Sequence, residues 1–361
     1  MPSLFDPIDL GAIRASNRIL MAPLTRGRAT RDAVPTDLMV EYYTQRASAG
    51  LIISEATGMS REGLGWPYAP GLWTDEQTAA WKPITDSVHA AGGHIVAQLW
   101  HMGRQVHSSV IGGQPVSSSA TRTNGQAHTF DGKQDFETAR PLSLDEMPRL
   151  LDDYERATKN AKAAGFDGVQ IHAANGYLID QFLRDGANHR DDQYGGSPEN
   201  RIRLLREVTE RVASVIGADR TAVRLSPNGE SQGVDDSAPL KVFVPAAKAL
   251  SDIGIAFLEL REPGPGGTFG KTAVPRLSPA IRQVFDGPLV LNSDYLKDDA
   301  QTVIDSGIAD AIAYGRTFLA NPDLPERFRQ DAPLNADNAK TWYSQGPEGY
   351  IDYPALELVD A

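Results

Sequence analysis

The stretch "GFDGVQIHAANGYLIDQFL", residues 165–183, decides the fold. Gly165, Asp167 and Gly168 form a turn signal. Val169 and Ile171 then read as a short buried strand that stops where small residues begin. His172, Asn175 and Tyr177 follow just past the end of that strand. Polar groups at the carboxyl end of a strand are what α/β enzymes use for chemistry.

Working outward, short β-rich runs of the same kind recur along the chain. "RILMAPL" starts at Arg18, "LIISEAT" at Leu51, "HIVAQLW" at His94 and "GVQIHA" at Gly168; "TAVRLS" at Thr221, "IAFLELRE" at Ile255, "PLVLN" at Pro288 and "ADAIAYGR" at Ala309 follow. Helical patterns lie between them, including residues 151–166 and 199–217, the latter with Ile202, Leu205, Val208, Val212 and Val215 at helical spacing. Strand then helix, repeated about eight times, predicts a closed parallel (β/α)8 TIM barrel. No linker divides the chain, so residues 1–361 are expected to form a single domain. The polar run "VIGGQPVSSSATRTNGQAHTFDGKQDFETARPLS", about residues 110–143, reads as a loop insertion near the active site, because loops this long in compact domains tend to be functional or disordered. "PGPGGTFGKT" around Gly264 is expected to cover the same barrel mouth.

Composition narrows the function. With 41% hydrophobic residues the chain can bury a large core. The 35 Lys and Arg against 47 Asp and Glu leave a net charge of −12, which disfavours a nucleic-acid partner. The absence of cysteine excludes disulfides, iron–sulfur clusters and thiolate zinc sites. The amino terminus lacks a charged segment followed by an apolar run, and no uncharged apolar stretch of about 18 residues occurs, so no membrane association and a cytoplasmic location are expected.

Two tempting motifs fail. "GPGGTFGKT" resembles a P-loop, but the first glycine of that pattern would have to be residue 265, which is Pro265, and the prolines after Lys271 and Thr272 are a poor helix start. No G-x-G-x-x-G follows a strand, so a Rossmann domain is unsupported. The histidines at 94, 101, 107, 128, 172 and 189 show neither H-x-H nor H-E-x-x-H spacing, and no metal is expected.

At the strand ends stand Pro23, Leu24 and Thr25, then Gln98 and Trp100, then His172 and Asn175, then Gly315 and Arg316, with Arg224 inside the fifth strand. A barrel gathers all of these at one rim. A buried Arg224 needs an anion or strong acceptors, which either a structural ion pair or a ligand can supply. The loops after strands seven and eight are where such barrels commonly hold phosphate.

In this order and over nearly its whole length, the chain resembles the Old Yellow Enzyme family of FMN-dependent ene-reductases. The motifs that carry the resemblance are "AGLIISEATGMS", "YAPGLWTDEQ", "AQLWHMGR", "GFDGVQIHAANGYLIDQFL", "NHRDDQYGGSPENRIRLLREV", "AVRLSPNG" and "YGRTFLANPDLPERF". The resemblance implies that His172 and Asn175 donate hydrogen bonds to a substrate carbonyl from positions one helical turn apart, and that Tyr177 is the proton donor. It implies FMN contacts at Pro23, Thr25, Ala56 and Gln98, with Arg224 beside the pyrimidine end. Ser293, Asp294, Gly315 and Arg316 would then grip the phosphate, Asp294 being a departure from the small residue expected there. Tyr68, Trp100 and Tyr343 would line the substrate pocket. Thr25 matches the branch with threonine at this position rather than cysteine.

The implied activity is transfer of hydride from NADPH or NADH, through tightly bound FMN, to the β-carbon of an activated alkene in a two-half cycle. Enones, enals, maleimides and nitroalkenes are the expected partners, and the oligomeric state is open. A flavin-free barrel lyase or aldolase is the rival from another class, although no strand ends in the lysine that a Schiff base needs. A non-catalytic flavin-binding sensor is the third reading, against which the retention of Tyr177, His172 and Asn175 speaks.

Overall fold

The computed structural model describes residues 1–230, 232–264, 266–267, 270 and 272–356. Pro265 and Lys271, on which the rejected P-loop reading turns, lie outside the described residues. Eight parallel strands close into a barrel: β1 (Ile19–Met21), β2 (Ile52–Gly58), β3 (Ile95–Trp100), β4 (Gly168–His172), β5 (Thr221–Leu225), β6 (Phe257–Arg261), β7 (Leu289–Asn292) and β8 (Ala311–Tyr314). Each pairs with the next, and β8 returns to β1. Every run read as a strand contributes one staff to the barrel.

Strand alternation sorts side chains into two cores. Outward-facing Ile19, Met21, Ile95, Leu99, Val169, Ile171, Val223, Leu258 and Leu291 pack with the surrounding helices. Inward-facing Leu20, Leu51, Ile53, Val96, Ala222, Phe257, Val290 and Ala311 form a separate cluster. A short antiparallel hairpin, Ile8–Leu10 with Ile13–Ala15, joins that inner cluster through Ile8, Leu10, Ile13 and Ala15 and plugs one end of the barrel. The apolar plug leaves the other end for polar groups.

One irregularity matters for the site. Ile53 pairs with Val96 and Ala56 with Gln98, so three residues of β2 advance against two of β3. The extra residue is a β-bulge, which keeps Ile53 and Ala56 both directed inward.

The helix predicted over 151–166 runs instead over Met147–Ala163. Its start is set by Ser143 and Glu146, which form a capping box one 3-10 turn ahead, followed by Pro148 in the first turn. The pattern from Glu199 breaks at Ile202 into a turn at Pro198–Arg201 and a helix at Arg203–Ile216. Among the described residues, no helix is long and apolar enough to cross a membrane.

Candidate active site

The open end of the barrel holds a cavity of about 670 Å³, within the range that encloses a cofactor or drug-sized ligand. Its floor is polar because inward positions at the strand ends are polar. Gln98 Nε2 donates to Gln170 Oε1 at 2.7 Å, and Gln170 Nε2 donates to Glu259 Oε2 at 2.7 Å. Glu259 faces Arg224 across 3.1 Å, a contact of charges rather than a straight hydrogen bond. Arg224 Nη2 donates to Asn292 Oδ1 at 2.9 Å, and Asn292 Nδ2 donates to the Ala313 carbonyl at 2.6 Å. The buried guanidinium therefore has both an internal counter-ion and a place in the cavity wall. The ion-pair reading of Arg224 is met by Glu259, and its place in the lining keeps it within reach of a ligand.

The turn after β4 is built by its neighbours. Asn175 and Gly176 both have positive φ, 58° and 76°, so the chain leaves the strand through a left-handed bend and not through the helical turn expected between His172 and Asn175. Asparagine tolerates that region better than most residues. The Asn175 amide donates to Ser226 Oγ at 2.8 Å, and the Gly176 amide donates to Asp180 Oδ2 at 2.8 Å. Asp180 is itself held by Arg184 Nε at 2.8 Å, with both side chains buried. Gln181 Nε2 donates to the Gly176 carbonyl at 2.8 Å. This buried shell fixes the bend.

The bend brings the His172 and Tyr177 rings together, and Asn175 lines the same cavity. The His172 ring lies 4.9 Å from the Tyr177 ring at 83°, and Trp100 packs edge-on to Tyr177 at 5.0 Å. His172 Nδ1 accepts from the Ala174 amide at 3.3 Å, which leaves Nε2–H as the donor. Burial, and then the charges of Arg224 and Arg261, hold the imidazole well below its usual pKa. It is neutral at physiological pH. Burial pushes the Tyr177 phenol up to about 12, against a hydrogen bond from the Gln232 side chain. Arg261 Nη1 donates to Asn175 Oδ1 at 3.3 Å.

The remaining wall suits a flat ring with an anionic tail. Ala22, Pro23, Ala56 and Ala313 are small and leave a slot, while Thr25, Gln98 and Arg224 supply hydrogen-bonding groups. Ser293, Asp294, Gly315 and Arg316 line the same cavity. Ser293 and Asp294 both have positive φ, and the Asp294 side chain pairs with Arg316 Nη2 at 2.8 Å. Its carboxylate is thereby occupied by the guanidinium.

Trp100 and Tyr343 line the cavity, but Tyr68 does not. The Tyr68 backbone is left-handed (φ 60°), and its ring packs edge-on against Phe130 at 5.3 Å. Trp66 stands in the wall in its place, 5.0 Å from Tyr343. The excursion at 110–143 contributes Asn124, Gln126, Ala127, His128 and Phe136 to the cavity, and its His128 ring lies 4.4 Å from Trp66. The segment carrying Trp342 and Tyr343 is tied to the loop after β1. Arg26 donates to the carbonyls of Trp342 (3.0 Å) and Gly349 (2.6 Å), and Arg28 donates to those of Thr341 and Glu348 (3.0 Å each).

Residue-level reading missed Glu259 and Arg261, although their signal was available. Two charges two apart in "AFLELRE" must share one face of a buried strand, as Arg224 does in its own. Gln232 and Trp66 carried no comparable signal.

The chain is similar to known proteins over nearly its whole length. Residues 3–335 match the model of the NADH:flavin oxidoreductase / NADH oxidase family. The chain is 40% identical to 12-oxophytodienoate reductase 2 of Arabidopsis thaliana, over 98% of its own length and 96% of that protein's. It is 41% identical to 12-oxophytodienoate reductase 1 of Oryza sativa subsp. japonica, over 99% and 94%. Among solved structures, the old yellow enzyme homologue from Zymomonas mobilis superposes with a TM-score of 0.98 at 67% identity, covering 98% of this chain and 100% of that one. Morphinone reductase in complex with tetrahydroNAD superposes with a TM-score of 0.94 at 45% identity, covering 99% of each chain.

Proposed function

The chain belongs to the NADH:flavin oxidoreductase / NADH oxidase family, as an Old Yellow Enzyme, and from that membership we propose how its own residues carry the reaction. It is an oxidoreductase that uses FMN and a reduced nicotinamide to reduce activated alkenes, which removes the flavin-free lyase reading. When bound, FMN supplies the two-electron chemistry that links the nicotinamide to the alkene. Pro23, Ala56 and Gln98 would hold its ring with Thr25, whose hydroxyl is a hydrogen-bonding partner. Arg224 would lie at the pyrimidine edge, and Ser293, Asp294, Gly315 and Arg316 would bind the phosphate through backbone N–H groups and the guanidinium.

The observation that carries the mechanism is that His172, Asn175 and Tyr177 all line one cavity, with the His172 and Tyr177 rings in contact. His172 Nε2–H and the Asn175 amide donate to the substrate carbonyl oxygen. As the β-carbon is reduced, negative charge builds on that oxygen, and fixed donors stabilise it more in the transition state than in the ground state. Tyr177 then delivers the proton to the α-carbon. A phenol held near 12 keeps its proton at neutral pH and is a weak enough acid not to lose it beforehand. Trp100, Trp66 and Tyr343 enclose the apolar part of the substrate.

Residues 1–361 would form one catalytic domain, with the excursion at 110–143 covering its mouth, a reading supported by the cavity positions of His128 and Phe136. One cavity would serve both half-reactions, with NADPH or NADH as donor, which suits a cytoplasmic enzyme acting on a small molecule. The net charge of −12 speaks against nucleic acid.

The test is the absorption spectrum of the purified protein during anaerobic addition of NADPH and then cyclohexenone. Flavin bands that bleach and then recover support the reading. Bands that bleach but never recover with any activated alkene point to the sensor, and a protein that stays colourless after FMN is supplied overturns the proposal.

A further inference from the structure

The Asn175 amide can serve a carbonyl oxygen only through its NH2 end. Its oxygen end would set one acceptor against another. The two orientations differ by a half-turn of the terminal torsion, which is broad and roughly two-fold, so something outside the residue must choose between them. The backbone bond to Ser226 fixes where Asn175 sits but not which end of its amide faces the cavity.

We propose that Arg261 is a positioning residue that makes this choice, holding Asn175 Oδ1 so that Nδ2 is presented to the substrate carbonyl. Arg261 is the last residue of β6, is 9% exposed and lines the cavity beside Asn175. Its Nη1 lies 3.3 Å from Asn175 Oδ1. A guanidinium has five N–H donors and no acceptor, so it can face only the oxygen end of an amide. The reversed amide would bring N–H groups against N–H groups. Burial, together with the charge of Arg224, lowers Arg261 to about 10, which still leaves it protonated at neutral pH. The inference rests on the reading of Asn175 as a carbonyl donor given under Proposed function.

A double-mutant cycle on the FMN-loaded enzyme separates this role from a merely structural or electrostatic one. The variants are Arg261→Met, Asn175→Ala and the pair, with the second-order rate constant for cyclohexenone reduction followed by stopped flow on pre-reduced enzyme. Flavin occupancy and melting temperature report folding. Arg261→Met is expected to lower the constant about tenfold in the parent and to cause no further loss in the Asn175→Ala background, because without Asn175 there is no donor left for Arg261 to position.

Equal loss in both backgrounds would overturn the proposal, since a guanidinium acting directly on the developing charge does not need Asn175. No loss in the parent would overturn it as well. If Asn175→Ala alone leaves the alkene step unchanged, the donor role of Asn175 falls first, and this inference with it. Should Arg261→Met fail to hold flavin, Arg261→Gln replaces it. That side chain can donate or accept, so it removes the bias, and the same background-dependent loss is expected.

Discussion

Replacing Glu259 by leucine tests whether the polar floor of the barrel is held by the Glu259–Arg224 pair. Glu259 is fully buried, and the Arg224 side chain is 7% exposed. With the carboxylate gone, Arg224 keeps Asn292 as its hydrogen-bond acceptor but loses its counter-ion, and Gln170 Nε2 loses its acceptor. Removing one partner of a buried ion pair costs about 3–5 kcal/mol, because the other charge stays buried and uncompensated. The stranded Gln170 amide belongs to the same network, so its cost of about 1–3 kcal/mol overlaps that figure and does not add to it.

The assay is equilibrium unfolding of the flavin-stripped protein in urea, so that loss of an Arg224 contact to FMN does not enter, read as a shift of midpoint at unchanged slope. Glu259→Leu is expected to lose about 3–5 kcal/mol. Adding Arg224→Met should restore most of that loss, because a matched apolar pair removes both charges together. A loss below about 1 kcal/mol, or a double variant as unstable as the sum of its parts, would refute the reasoning. Either result would mean that water in the cavity, not Glu259, compensates Arg224.

Tyr177→Phe removes the proposed proton donor while keeping the ring that packs on Trp100 and His172. Alkene reduction should slow by about 10²–10⁴-fold with the nicotinamide step nearly unchanged, and equal loss in both half-reactions, measured separately by stopped flow, would refute the role. The pH profile of the alkene step follows from the directions of the two shifts. His172 is lowered, so it stays neutral as pH falls through its ordinary range, and Tyr177 is raised to about 12, so it stays protonated as pH rises. The rate should be flat from about pH 6 to 9 and decline only as the tyrosine begins to ionise; an inflection near 6.5 would show a titrating His172 and sink the assignment.

The barrel was legible because its signals are local. Each strand is a short apolar run bounded by turn residues, and all eight can be picked out within windows of a few residues. Most of the cavity's lining was legible for a related reason, since barrel closure brings every strand end to one rim whatever the distance along the chain. Helix starts were less so, because the capping box at Ser143 and Glu146 lies outside the apolar pattern that marks the helix body.

What the amino-acid sequence by itself determined, then, was which residues reach the mouth: His172, Asn175, Tyr177, Thr25, Gln98, Arg224 and Arg316 all stand at or near strand ends. Tertiary structure alone decided how they are aimed. Gln98 is tied to Glu259 through Gln170, across separations of 72 and 89 residues. The bend is left-handed because Ser226 holds the Asn175 N–H and Asp180 that of Gly176, the Asn175 side-chain amide faces Arg261 from the end of another strand, and Tyr68 turns away onto Phe130. Orientation is set by hydrogen-bond partners that only the closed barrel brings within about 3 Å, whereas position along a strand is set by the strand itself.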